Sequence, residues 1–151
     1  MDRNAIFDTM ITSFKAYSVS DARPTVTKVL KYSGRNYDIR QRGDIKREAV
    51  IFQPLNASTT YNINDEKPKE ITQRFQALVY LEQADNHSAK DATYDRLMEI
   101  TDLLADWSID TGADAISADV WTLTLTGIGA TDEQDGYLST TVTFQSIIKL
   151  Q

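Results

Sequence analysis

The sequence of 151 residues contains no cysteine and only one histidine, His87. Without cysteine the chain can form neither a disulfide nor a thiolate nucleophile. A lone imidazole cannot complete a zinc site, which takes three or four His, Cys or carboxylate ligands. We therefore expect a protein that folds in a reducing cytoplasm, and we interpret His87 as a residue at the entrance to a helix.

Other signatures of chemistry are missing as well. No run of apolar residues approaches the roughly 18–20 needed to cross a bilayer, and neither glycine-rich phosphate-binding motif occurs. The segment 132–136 resembles part of a calcium loop but lacks the bidentate glutamate at the twelfth position. The sequence therefore predicts a protein that catalyses no reaction and binds no cofactor, metal or membrane.

What the chain has instead is an uneven distribution of charge around a net charge of −6. The segment from Arg23 to Glu48 contains eight basic and three acidic residues, whereas the segment from Glu82 to Asp135 contains thirteen acidic and two basic residues. This asymmetry indicates either surfaces of opposite sign or ordinary solubility. The candidate basic interface consists of Arg35, Arg40, Arg42, Lys46 and Arg47. With acids also in this segment, contact with an acidic protein surface, such as another copy's acidic helix, is favoured over nucleic acid.

The first half of the chain predicts a helix followed by strands. Apolar residues at helical spacing indicate a helix over Arg3–Tyr17, with Phe14 and Tyr17 in the core. Alternation predicts a strand over Thr25–Tyr32, and a short strand is expected over Tyr37–Gln41. The apolar run 49–52 predicts another strand, which Pro54 is expected to end.

Residues 53–69 differ from the rest because they are polar and have no sustained apolar period. They predict an extended polar loop, and long loops within compact domains are usually functional or disordered. We expect this loop to become ordered only when it docks on a partner. Its candidate docking residues are Asn56, Thr60, Tyr61, Asn62 and Asn64.

The second half alternates between strand and helix. Period-two alternation predicts a strand over 71–82, and helical spacing predicts a helix from Asp91 to Ser108, capped at Ser88 or at Asp91. The runs Ala118–Ile128 and Tyr137–Lys149 predict a long C-terminal hairpin whose loop, 131–136, lies in solvent or on a neighbouring molecule. Because each strand would span about 35–40 Å, we expect this hairpin to bend around the core or to project past it.

The helix from Asp91 carries an acidic stripe on one side. At about 100° per residue the stripe occupies a sector about 80° wide, and its members are Asp91, Asp95, Glu99, Asp102 and Asp106. The opposite side is predicted to be buried, with Tyr94, Leu97, Met98, Thr101, Leu104 and Trp107. A solvated face and a surface tuned to a partner, or to repel a polyanion, are both consistent with the stripe.

These elements predict a single α+β domain over residues 1–151. Its sheet is mainly antiparallel (mixed), and it is flanked by an N-terminal helix and by the central amphipathic helix. The long C-terminal β-hairpin completes the sheet.

This order of elements resembles the tail terminator proteins of long-tailed bacteriophages, also called tail completion or tail-to-head joining proteins. The segments that carry the resemblance are Arg74–Tyr80, Leu97–Leu104 and Phe144–Lys149. The resemblance implies a hexameric ring, made in the host cytoplasm and incorporated in the virion, that caps the tail tube, ends its polymerisation and meets the head connector or neck protein. It implies no cofactor and no reaction.

Under this resemblance, genomic DNA would pass through the ring without specific binding. The acidic stripe is then a candidate lumen or inter-subunit surface, because carboxylates repel phosphate. Two other interpretations remain. The chain could be another ring-forming neck or tail-tube protein of the same machine, or a nucleic-acid-binding module that uses the basic segment 35–47.

Overall fold

A computed structural model describes residues 3–19, 26, 28–31, 48–61, 68–82, 87–111, 120–134 and 136–149. Its elements are α1 (Arg3–Ser18), β1 (Val29–Lys31), β2 (Glu48–Tyr61), β3 (Pro68–Glu82), α2 (His87–Thr111), β4 (Val120–Ile128), β5 (Asp132–Gln134) and β6 (Tyr137–Lys149). The strands form one sheet of order β1-β2-β3-β6-β4, and β5 also pairs with β6. Only β1 and β2 run parallel among the pairs described. The predicted α+β class with a mixed, mainly antiparallel sheet is confirmed.

The main core lies between the sheet and the two helices. Trp107 of α2 makes edge contacts with Phe14 of α1, Phe52 of β2 and Phe144 of β6, with ring centroids 5.4, 5.9 and 5.6 Å away. Phe75 of β3 stacks on Phe144 at 5.1 Å. All five rings are fully buried, so one aromatic cluster joins both helices to the three middle strands.

The other face of the sheet carries a smaller apolar cluster. Ala49, Ile51 and Tyr80 are buried there, and Tyr80 stacks on Tyr137 with ring centroids 4.7 Å apart. Along β6 this face continues with half-buried hydroxyl and amide side chains, namely Ser139, Thr141, Thr143 and Gln145. The alternation along β3 and β6 thus separates an apolar face from a mostly polar one, as the sequence predicts.

The extended polar loop predicted over residues 53–69 is wrong for most of its length. β2 continues through Pro54 to Tyr61, β3 begins at Pro68, and the two strands pair as a hairpin whose connection, 62–67, lies outside the described residues. Pro54 does not end the strand because the described part of β1 pairs only as far as Phe52. A proline without an N–H is tolerated on such an open edge.

A bulge follows Pro54, and a buried glutamine satisfies its backbone. The register of β2 against β3 shifts between Pro54 and Ala57. Gln73 donates from Nε2 to the carbonyl oxygens of Leu55 (3.0 Å) and Arg74 (2.7 Å). The irregular backbone therefore keeps hydrogen-bond partners despite the break in the ladder.

β6 does not project past the core, one of the two predicted outcomes, because every second residue from Leu138 to Ile148 is buried. β6 lies between β3 and β4 and pairs with β3 along its whole length, from Lys149 opposite Glu70 to Tyr137 opposite Glu82. Its bounds match the predicted Tyr137–Lys149. The expected tip loop is wrong for Asp132–Gln134, which form β5. The length of β6 is matched within the sheet by the 15 residues of β3.

Other boundaries differ by a few residues. α2 begins at His87, so the helix cap predicted at Ser88 or Asp91 is wrong, while the placement of His87 at the helix entrance is confirmed. β1 is shorter than the predicted Thr25–Tyr32. The expected strand Tyr37–Gln41 lies outside the described residues.

The turn into β6 allows a direct test of backbone strain. Gly136 has a φ of 83°, and a Cβ added there would meet nothing within 4 Å. Gly136→Ala is therefore expected to lower the free energy of unfolding by about 1–2 kcal/mol through backbone strain alone. Gly136→Asn should lose less, because asparagine tolerates this region. Urea denaturation measures both, and equal losses for the two variants would contradict the explanation.

Candidate functional site

Helix α2 presents one face to the core and one to solvent. Its inner face buries Leu97, Ile100, Leu104 and Trp107. The indole Nε1 of Trp107 donates to Ser13 Oγ of α1 at 3.2 Å. These contacts fix how α2 is rotated about its axis, and hence which side chains lie outside.

An ion pair ties α2 to the start of β2. The Arg96 guanidinium donates from Nε and Nη2 to the two carboxylate oxygens of Glu48, each at 2.8 Å. Nη1 donates to Glu99 Oε2 at 3.1 Å. The side chains of Arg96 and Glu48 are only 27% and 12% exposed. The hydrogen bonds to Glu48 raise the pKa of Arg96, against a smaller lowering by burial.

A second polar contact joins the far end of α2 to α1. The Tyr17 hydroxyl donates to a carboxylate oxygen of Asp110. Tyr17 also packs against the edge of the core, as predicted. Polar contacts therefore hold α2 at two points, at Arg96 in its first half and at Asp110 near its C-terminal end.

The acidic stripe lies on the outer face of α2, as the sequence predicts. Its four described members, Asp95, Glu99, Asp102 and Asp106, are all exposed. The side chain of Asp91 lies outside the described residues. Glu99 pairs with Arg96, but no described base forms a salt bridge with the other three carboxylates.

The prediction that Tyr94 and Met98 are buried is wrong. Tyr94 is 37% exposed, Met98 is 52% exposed, and Ile109 further along the helix is 75% exposed. At about 100° per residue these three fall within one sector about 60° wide, directly beside the acidic stripe. We call Tyr94, Met98 and Ile109 the apolar ridge of α2.

The remaining predicted site residues are only partly described. Asn56 is exposed on β2, and Thr60 and Tyr61 lie at the end of that strand. Asn62 and Asn64 lie outside the described residues, as do all members of the basic interface, Arg35, Arg40, Arg42, Lys46 and Arg47. The predicted order of residues 53–61 only on docking is wrong, because these residues already pair with β3.

The described helices and acidic side chains form neither a membrane span nor a metal site. In the described ranges, neither helix is long and apolar enough to cross a bilayer. No three His, Asp or Glu side chains in this part of the chain come together as a metal site. The described surface of α2 carries an apolar ridge beside exposed carboxylates.

Comparison with known proteins extends only to the fold. No protein-family model and no curated protein matches the chain. Among solved structures 31 chains match. One of them aligns over 100% of this chain and 98% of its own length, with a TM-score of 0.58 and 9% identical residues. At this identity the likeness shows that the same α+β arrangement occurs elsewhere, and it says nothing of what this chain does.

Proposed function

We propose that this chain is a structural virion protein whose copies form a hexameric ring at the end of a phage tail tube. The ring ends polymerisation of the tube and joins the tail to the head connector or neck protein. It catalyses no reaction and needs no cofactor. Genomic DNA passes through it without specific binding.

One observation carries this proposal, and it concerns the outer face of α2. The apolar ridge and the acidic stripe are adjacent on a helix that its own core and two polar contacts hold in place. A rigid surface with an apolar part and charge at its side is the composition of a protein–protein interface. The order of helices and strands resembles that of the tail terminators, and this resemblance is the reason for proposing a ring at the end of a tail.

The acidic stripe can serve the ring in two ways. It can line the lumen and repel the phosphates of passing DNA, or it can lie between neighbouring subunits. The candidate docking residues Asn56, Thr60 and Tyr61 of β2, together with Asn62 and Asn64, are the proposed contact with the tube protein. The assignments of the acidic stripe and of the tube contact both concern the surface of the subunit and leave its core unchanged.

The test of the proposal is the size and shape of the assembly. Light scattering after size-exclusion chromatography is expected to give six times the 17.0 kDa of one chain. Negative-stain images should show closed rings with a central hole, because a heterologous contact closes when its rotation divides a full turn.

Other outcomes would identify the alternatives. Filaments that lengthen with concentration would indicate a tail-tube subunit, since an open heterologous contact keeps adding copies. Closed rings that bind connector but no tube protein would indicate another neck protein. A monomer whose mobility-shift titration with DNA weakens steeply with salt would indicate a nucleic-acid-binding module acting through residues 35–47.

A further inference from the structure

We infer that the outer face of α2 is a contact between neighbouring copies of this chain, and that the basic segment 35–47 of the next copy occupies it. The inference rests on the proposed ring. Of the two positions proposed for the acidic stripe, the lumen and the boundary between subunits, it assigns the second. It places the apolar ridge and the acidic stripe between subunits, away from the lumen.

The apolar ridge is the first reason. Met98 and Ile109 leave 52% and 75% of their surface in water, and Tyr94 leaves 37%. Single exposed apolar residues are common, but these share one side of one helix, with half-buried Ala105 between them. A lumen wall that only has to repel DNA needs carboxylates and gains nothing from this ridge. A subunit contact gains from burying it.

The position of the charges is the second reason. Asp102, Asp95 and Asp106 follow the ridge along its side, at about 20–60° from Ile109 around the helix. No described base pairs with them. An apolar strip with a polar margin is the usual arrangement of a protein interface, in which the margin selects the partner by charge.

The charge of the partner surface points to a second copy. Two outer faces of α2 would repel each other, so an isologous contact through this helix is disfavoured. Residues 35–47 carry five bases and two acids, with Tyr37 and Ile39 among them, and therefore complement both the charge and the apolar ridge. The two surfaces come from different parts of the chain, so the contact is head-to-tail and suits a closed ring.

Two charge-reversed variants test the contact. The first carries Asp95→Lys, Asp102→Lys and Asp106→Lys on exposed positions of α2. The second carries Arg40→Glu, Arg42→Glu and Arg47→Glu in the basic segment. Each variant alone opposes like charges at every contact, and we expect its association to weaken at least tenfold by sedimentation velocity.

An equimolar mixture is the decisive sample. In a ring that alternates the two variants, every contact again joins a positive surface to a negative one. The mixture is therefore expected to restore the assembly to the wild-type size. If the basic segment instead bound α2 of its own chain, mixing would restore nothing, and that outcome would overturn the inference.

The apolar ridge is tested separately with a matched control. Met98→Asn together with Ile109→Asn is expected to weaken association at least tenfold while leaving thermal stability unchanged, because both side chains are already exposed. The control is Ile128→Asn at the end of β4. Ile128 is 53% exposed, about as much as Met98, and its substitution is expected to leave association unchanged. Equal effects of both substitutions would contradict a specific role of the ridge.

The proposed ring and its contact can fail independently. If the wild-type chain is monomeric at high concentration, the proposed function fails. If the wild-type chain forms rings and both reversed variants form them equally well, the ring stands and the assignment of α2 to the contact is overturned. Rings of normal size from the α2 variant, with DNA retained in the hole, would return the acidic stripe to the lumen.

Discussion

Replacing Trp107 with alanine is expected to lower the free energy of unfolding by about 3–5 kcal/mol. Trp107 is fully buried and contacts rings from α1, β2 and β6. Its removal leaves a cavity where three elements meet, and these cannot all move to fill it. Because domains of this size are stable by about 5–15 kcal/mol, the variant should be close to unfolding. Urea denaturation followed by circular dichroism measures the loss.

Two milder substitutions separate packing from hydrogen bonding at this position. Trp107→Phe keeps an aromatic ring and is expected to lose less than the alanine variant. Ser13→Ala removes only the acceptor of the indole N–H and should lower the free energy of unfolding by about 1 kcal/mol. If Ser13→Ala destabilised the protein as much as Trp107→Ala, the account based on packing would be wrong.

Arg96→Met is expected to lower the free energy of unfolding by about 2–3 kcal/mol. The substitution removes a bidentate ion pair and leaves the carboxylate of Glu48, which is 12% exposed, without its guanidinium. A carboxylate that loses its bidentate partner at a largely buried position costs more than an exposed pair contributes. The measurement is chemical denaturation at neutral pH.

The double variant separates the loss of the ion pair from the cost of keeping a largely buried carboxylate without the guanidinium. Adding Glu48→Leu to Arg96→Met removes that carboxylate, so we expect at least half of the lost stability to return. If stability fell further instead, the pair itself would contribute more than its desolvation costs. Either way, Lys31 and Asp8, paired at 2.7 Å across more exposed side chains, offer a control: Lys31→Met should lose no more than about 1 kcal/mol.

The Arg96 contact also has a defined dependence on pH. Its folded pKa is raised above an already very high unfolded value. A raised pKa of a base contributes stability that is present below the unfolded pKa and is lost only as pH rises through the folded pKa. The difference in stability between wild type and Arg96→Met is therefore expected to stay constant from neutral pH to about pH 10.

The strands and helices with one buried face could be predicted from the sequence. In β6 every second residue from Leu138 to Ile148 is buried, so the alternation of side chains matches the environment. α1 was similarly evident from apolar residues at helical spacing, and its observed end, Ser18, lies one residue beyond the predicted Tyr17. When only one face of a helix or strand is buried, apolar residues recur in the sequence with the period of that element.

The hairpin arm of β2 could not be predicted because it has no such period. From Pro54 to Thr59 all side chains are exposed, so nothing distinguishes its two faces. What keeps these residues extended is backbone pairing with β3, the next strand of the same hairpin. Thr59, Thr60 and Tyr61, all residues that favour strands, were the only local signal.

The exposure of Tyr94 and Met98 was missed for a geometric reason. Both lie at the margin of the buried sector of α2, next to Leu97 and Thr101, which are buried. Whether a marginal position is covered depends on how the sheet and α1 meet the helix, and the contacts of Trp107 and Arg96 decide this. Helical spacing alone gives the angle of a side chain but not the width of the surface that covers it.

The position of β6 between β3 and β4 also determines when the sheet can be completed during folding. Residues 137–149 separate β3 from β4, and their partners in β3, Glu70 to Glu82, lie 55 to 79 residues earlier in the chain. During translation the edge of β3 that later pairs with β6 therefore has no partner strand until residues 137–149 have left the ribosome. Closing so large a loop is slow, and a chaperone that shields the edge of β3 during this interval would raise the yield of native subunits.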